Sequence, residues 1–264
     1  MSYETIIYEK DKEGIATLTF NRPQAMNAQN PQMMAEMREA VEEADKDNEV
    51  RVLIVTGAGR GFHAGDDVKA LFLAEDREKR RIERGLARIR GTTSPINLIA
   101  TNKPTIAAVN GPAVGDGMAI ACSCDVRIAS ENARFAYLFT LRGVLGPPIV
   151  WMVLKEIVGL SKAMELMLSA EFIDAAEAEK IGLVNKVVPP DRLMDEAKEM
   201  AHKFLRAAPL SQQVIKQGIY KCMFDPRAVV DYFNTMLPIM FQTEDHIESS
   251  RAFVEKRAPK YNGR

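Results

Sequence analysis

Apolar and polar residues alternate through "GIATLTFNRP" (residues 14–23), and the alternation stops at Pro23. A period of two turns one strand face to a core, and a proline ends the ladder, so a strand entering a loop is expected here. In "NPQMMAEMREAVEEADKD" (30–47) the apolar stripe runs through positions 33, 37, 40, 41 and 44. That spacing predicts a helix, with Asn30 as its cap, Pro31 in its first turn and methionines filling core. "VRVLIVTG" (50–57) and "KPTIAAVNG" (103–111) are short continuous apolar runs, the pattern of buried strands. "GDGMAIACSC" (115–124) reads as a small-residue helix and "DVRIAS" (125–130) as a further strand. Strand, loop, helix and strand in succession predict an α/β fold with parallel pairing. The charged run 71–90, "LFLAEDREKRRIERGLARIR", is expected to be a solvated helix or a flap. From about residue 190 the pattern is helical throughout, so we divide the chain into an α/β core over 1–195 and a helical region over 196–264.

Composition narrows the function classes. The chain has 264 residues and a formal net charge of −1, with 47% hydrophobic and 27% charged residues. That balance leaves no basic footprint for nucleic acid or an anionic membrane. "MSYETIIYEKDKEG" lacks the basic and apolar regions of a signal peptide, and no apolar run approaches membrane-spanning length. Three cysteines without a CxxC make no disulfide framework. A cytoplasmic protein with neither nucleic acid nor membrane as partner is therefore expected.

Two glycine-rich loops each follow a strand. "GRGFHAGDDVKAL" (59–71) suggests a nucleotide cradle, but Gly57 and Gly59 are followed by Phe62 where a dinucleotide fingerprint needs its third glycine. No Gly-Lys-Ser/Thr is present for a phosphate-binding P-loop. "NGPAVGDGM" (110–118) leads into the small-residue helix, whose N-terminus favours negative charge. Two such turns can aim two backbone N–H groups at one point, an oxyanion hole suited to a thioester carbonyl becoming an enolate or a tetrahedral adduct.

These segments resemble the crotonase (enoyl-CoA hydratase/isomerase) superfamily. Its motifs match "NRPQAMNA" (21–28), "FHAGDDVKAL" (62–71), "KPTIAAVNGPAVGDG" (103–117), "LSKAMELMLSAEFIDAAEAEKIGLVNKVV" (160–188) and "AFVEKRAPKY" (252–261). The resemblance implies a crotonase-type spiral of ββα units, C-terminal helices that build a homotrimer or a dimer of trimers, and an acyl-CoA thioester as substrate. Coenzyme A would enter as part of that substrate, with no permanently bound cofactor and no metal. It implies an oxyanion hole from the backbone N–H groups of Asp66 and Asp116. Coenzyme A contacts would come from Gln24, Ala25, Met26, Ala64, Asp67 and Val68, with Lys256 near the CoA phosphates.

The chain departs from the family at its acid–base positions. The two glutamates of the hydratases fall at Ala119 and Phe139, and a third acidic position of other branches falls near Pro147. None of these side chains can move a proton. Asp66 and Asp116 are then the acids nearest the carbonyl. The helix N-terminus favours the charged form of Asp116, so Asp116 is expected as base and Asp66 as the partner that holds a proton. The alternative is that both cap turns through neighbouring backbone. Tyr137 could donate its hydroxyl to substrate, or shape an acyl pocket with Phe135, Phe139, Trp151 and Ala119; such a lining fits a bulky or cyclic acyl group. His63 is expected to pack or to touch adenine, Cys122 and Cys124 to be inert buried thiols, and Glu131 to lie on a surface turn. His202 and His246 have neither metal-ligand spacing nor a visible partner. Three readings stay open: a hydratase/isomerase with relocated acid–base groups, a thioester hydrolase, decarboxylase or C–C lyase using the same hole, and a non-catalytic acyl-CoA binder.

Overall fold

The computed structural model describes residues 3–67, 96–223 and 225–264; Val68 and the charged run 71–90 lie outside the described residues. Strands β1 (Ile6–Lys10), β2 (Ile15–Phe20), β3 (Val52–Gly57), β4 (Thr105–Val109), β6 (Val126–Ser130) and β9 (Lys186–Val188) form one sheet in the order β1-β2-β3-β4-β6-β9. β1 runs antiparallel to β2, and every later pair in this sheet is parallel. A smaller sheet joins β5 (Ala113–Val114), β7 (Arg134–Ala136) and β8 (Ile173–Asp174), with β5 and β7 parallel.

The continuous apolar runs follow from burial on both faces of the large sheet. Leu53, Val55, Ala107 and Val109 face a core shared with Leu18, Phe20 and Met33, Ala40, Val41 and Ala44 of helix α1 (Pro31–Lys46). Val52, Ile54, Ile106 and Ala108 alternate to the other face. There they meet Leu193, Ala197 and Ala201 of a later helix, numbered α7 below. Asn30 caps α1 as its sequence predicts, its side chain accepting from the Met33 N–H at 2.8 Å.

After β3 come α2 (Ile96–Ala100), α3 (Asp116–Ser123), α4 (Pro148–Val158), α5 (Leu160–Ser169), α6 (Ala175–Lys180), α7 (Leu193–Leu205), α8 (Pro209–Cys222), α9 (Pro226–Met240) and α10 (Glu244–Glu255). The small side chains of Ala197 and Ala201 let α7 lie close on the sheet, so a division at residue 195 runs through a helix that packs on the core. α8 is tied to the same core by Lys216. Its buried ammonium donates to the carbonyls of Leu98 and Lys103 at 3.0 and 2.9 Å and to Asp125 Oδ2 at 2.8 Å. Among the described residues no helix is long and apolar enough to cross a membrane.

The parallel strands end together, so the chain segments that follow β2, β3 and β4 gather at one edge of the sheet. Ligands of open α/β sheets bind at that edge, outside the carboxyl ends of the strands.

Candidate active site

The loop after β2 begins with a 3-10 turn, Pro23–Ala25, and then passes through two left-handed residues, Met26 (φ 51°) and Asn27 (φ 58°). Asn27 is fully buried and explains why the chain tolerates that backbone. Its amide donates to the carbonyls of Ala58 and Gly61 at 3.0 and 2.8 Å, and its Oδ1 accepts from the Arg22 N–H at 2.9 Å. The Met26 carbonyl accepts from the Ala64 N–H at 3.0 Å, joining this loop to the one after β3. Arg22 reaches the same loop, pairing with Asp67 at 3.1 Å and donating to the Ala28 carbonyl. Gln29 donates its side-chain amide to Asp66 Oδ1 at 2.8 Å. The two adjacent aspartates are therefore held by two different side chains of the preceding loop.

Backbone geometry sets the direction of the Asp66 peptide. The Gln29 N–H donates to the Gly65 carbonyl at 2.8 Å, and the Asp67 N–H donates to the Gln29 carbonyl at 2.9 Å. In such a parallel bridge the N–H of the intervening residue, Asp66, points to the opposite edge. Gly65 (φ +87°) lies against the third loop: a Cβ there would stand 3.0 Å from the Val114 carbonyl oxygen and 3.6 Å from the Asp116 nitrogen. Asp116 is the first residue of α3, where a helix does not consume its N–H groups internally. Gly117 fits equally tightly, since a Cβ there would come within 2.0 Å of the His63 carbonyl oxygen. The turns before Asp66 and Asp116 are thus in backbone contact, an arrangement able to present two N–H donors to one oxygen.

The family model described as enoyl-CoA hydratase/isomerase matches residues 10–264. The chain belongs to that family. A short-chain-enoyl-CoA hydratase of Clostridium acetobutylicum is 39% identical over 259 residues, 97% of each chain. An (E)-benzylidenesuccinyl-CoA hydratase of Thauera aromatica is 36% identical over 257 residues, 94% of this chain and 96% of that one. Among solved structures, an enoyl-CoA hydratase from Mycobacterium smegmatis is 30% identical with a TM-score of 0.87, covering 98% of this chain and 99% of that one. The protein is an acyl-CoA enzyme of the enoyl-CoA hydratase/isomerase type on the crotonase fold.

Seen as a member of that family, the chain has an aromatic wall beside the two turns. Phe139 Cζ lies 3.7 Å from where a Cβ of Gly115 would be, which puts its ring against the turn that opens α3. Tyr137 stacks obliquely on Phe139, ring centroids 4.8 Å apart. The structure corrects two expectations for this wall. Tyr137 donates its proton to the Leu145 carbonyl and accepts from the Trp151 indole N–H at 2.7 Å, so its hydroxyl is spent on bracing the wall and is not offered to substrate. Phe135 and Ala119, expected to line a pocket, have 1% and 0% exposure and belong to the core; Phe139 is partly exposed and Trp151 is 42% exposed. Burial raises the pKa of Tyr137; the Trp151 hydrogen bond works against that rise and the charge of Asp116 adds to it.

The remaining candidates separate by burial. Gln24 is exposed, while Ala25, Met26, Ala64 and Asp67 are half-buried along the joined loops; Val68 falls outside the described residues. Lys256 is exposed at the left-handed end of α10. His63 is fully buried, which fits the packing alternative over the adenine contact, with its backbone bridged to Ala113. Burial pushes the Cys122 and Cys124 thiols up to about 11 and about 12, in line with inert core cysteines. Glu131 is exposed on a turn, as expected. The tail histidines do have partners: His202 Nε2 lies 3.0 Å from Glu13, and His246 packs edge-on against Phe241. Arg22 and Asn27 fall inside the "NRPQAMNA" run and Gln29 just after it, but nothing in the sequence shows the part they play in holding the site's loops together.

Proposed function

We propose that the protein binds a conjugated acyl-CoA thioester with its carbonyl oxygen between the backbone N–H groups of Asp66 and Asp116, and that these two residues also supply the acid–base chemistry. The backbone contact between the Gly65 and Asp116 turns supports this reading most strongly. In hydration, the Asp116 carboxylate would take a proton from water as the water oxygen bonds to the β-carbon. The double-bond electrons pass to the carbonyl oxygen, where the two N–H groups stabilise the enolate. A proton held on Asp66, which Gln29 orients, would go to the α-carbon. The proton taken up by Asp116 would return to Asp66 through solvent, so that the water's oxygen and one hydrogen end at the β-carbon and one hydrogen at the α-carbon. Coenzyme A would lie along Gln24, Ala25, Met26, Ala64, Asp67 and Val68, with Lys256 near its phosphates. The partly exposed rings of Phe139 and Trp151 favour a bulky or cyclic acyl group, as does the likeness to a benzylidenesuccinyl-CoA hydratase. The protein would work as a homotrimer or a dimer of trimers.

A second reading has its own observation. By the resemblance the family's two glutamates fall at Ala119 and Phe139, side chains that cannot move a proton, which favours a reaction that does not need two glutamates: thioester hydrolysis, decarboxylation, C–C cleavage, or binding without turnover. Mass spectrometry in D₂O with enoyl, β-keto, cyclic and malonyl-type thioesters separates the readings. Addition of water, with deuterium at the α-carbon, is the expected result. Asp116→Asn is expected to lower kcat by about 10²–10⁴-fold, the usual share of a general base, with little change in thioester affinity. Free CoA, CO₂ or an unchanged, unlabelled ester across the panel would replace hydration with hydrolysis, decarboxylation or binding alone.

A further inference from the structure

His63 is the residue at which the two turns are tied together. Its backbone N–H donates to the Pro112 carbonyl at 3.0 Å, and its own carbonyl accepts from the Val114 N–H at 2.9 Å. Both bonds cross from the loop after β3 to the loop after β4. Its imidazole then turns back on its own loop, where Nδ1 accepts from the Gly65 N–H at 3.1 Å. The Gly65 N–H belongs to the peptide unit just before the one that carries the Asp66 N–H, so this bond holds the near end of Gly65 while the Gln29 N–H holds its carbonyl, and together they set the backbone that leads into Asp66.

The imidazole has one neutral tautomer compatible with that bond. An accepting Nδ1 is unprotonated, which puts the hydrogen on Nε2. Among the described residues Nε2 has no hydrogen-bond partner and no exposure, and the ring lies edge-on to Phe20 with centroids 4.9 Å apart. Burial pushes the ring's pKa down to about 3, so it stays neutral wherever the enzyme would work. A buried N–H without an acceptor destabilises the fold, and an apolar side chain would fill this site without that cost. The hydrogen bond to Gly65 is what an apolar side chain could not replace.

We infer that His63 is a positioning residue for the oxyanion hole: its neutral imidazole, locked as the Nε2–H tautomer, orients the Gly65–Asp66 segment so that the Asp66 N–H meets the thioester oxygen. The inference rests on the proposed role of that N–H. It assigns His63 no proton transfer and no contact with substrate.

The test compares His63→Leu, which keeps the bulk and loses the acceptor, with His63→Asn, whose Oδ1 can reproduce the acceptor at the Nδ1 position. The probe is an arylacryloyl-CoA bearing a para-dialkylamino group, whose absorption moves to the red when its thioester carbonyl is polarised. Wild type is expected to shift the band. His63→Leu is expected to bind the probe within about threefold of wild type, lose most of the shift, and melt at the same temperature or higher. On a turned-over thioester its kcat is expected to fall at least tenfold with KM little changed and the shape of the pH profile preserved. His63→Asn is expected to restore the shift and most of kcat. A full shift in His63→Leu, loss of a limb of the pH profile, or a fall in shift only together with binding and melting temperature would overturn the assignment. No shift in wild type despite saturated binding would instead overturn the oxyanion hole itself, so the two failures are distinguishable.

Discussion

Asp66, Asp67 and His63 lie within five residues of one loop and have three different environments. Asp67 is neutralised by Arg22, Asp66 accepts from Gln29, and His63 is sealed from solvent. These differences come from residues far along the chain, 45 positions away for the Arg22–Asp67 pair, so the "FHAGDD" motif shows where the loop is without showing what each side chain does. The position of the loop and its contact with "VGDG" were legible, because glycines at turns and a small-residue helix are local signals. The choice for His63 between packing and a ligand contact was not, since its bridge to Ala113 depends on strand pairing. A pH dependence follows at this scale. The unfolded chain protonates its imidazole near pH 6.5, while the folded one resists protonation down to about 3. Between those values acid favours the unfolded state, by about 1.4 kcal/mol per pH unit at most. His63→Leu is therefore expected to flatten the fall in stability between pH 6.5 and 3, measured by urea unfolding at a series of pH values. An unchanged acid slope would show that His63 titrates normally.

Among the elements, helices and strands followed their apolar periodicity closely: the helix expected over 30–47 spans Pro31–Lys46, and the small-residue helix spans Asp116–Ser123. What periodicity could not show is which element locks which. Lys216 on α8 reads as an ordinary helical lysine, yet it is buried against Asp125 and the carbonyls of Leu98 and Lys103. Removing one partner of such a pair leaves the other without compensation, so Lys216→Met is expected to destabilise the protein by about 2–4 kcal/mol, reduced from the fully buried case because Asp125 retains some exposure. Denaturant unfolding checks this, and a loss below 1 kcal/mol would show that α8 is held by apolar packing alone. Similarly, Asn27→Ala should cost more in turnover than a surface substitution, because the amide bonds to Ala58 and Gly61 set the approach of the loop that carries Asp66.

For the whole molecule, the chain presents large apolar side chains on its last helices, with Phe253 86% exposed and Val230, Phe233 and Phe241 also exposed. An apolar surface of that kind marks an interaction face, and in the proposed trimer it would lie between copies of the chain. Sedimentation of the wild-type protein is expected to show a trimer or a hexamer. Phe233→Asp combined with Phe253→Asp is expected to shift it toward monomer, and a monomeric wild type would refute the assignment. The parallel α/β core could be inferred from the order of strands and loops along the chain, and its spiral from the family resemblance. An aromatic lining by Tyr137, Phe139 and Trp151 was also legible, but the sequence left the Tyr137 hydroxyl open between substrate and wall, and only packing shows it joined to Leu145 and Trp151.

The central claim is that two backbone N–H groups, those of Asp66 and Asp116, polarise a thioester carbonyl. The most direct measurement is the ¹³C NMR shift of an enoyl-CoA labelled at its carbonyl carbon, bound to an Asp116→Asn enzyme that turns over too slowly to consume it. The account predicts that the bound carbonyl resonates well downfield of the free ester. A saturated complex with the free-ester shift would contradict it.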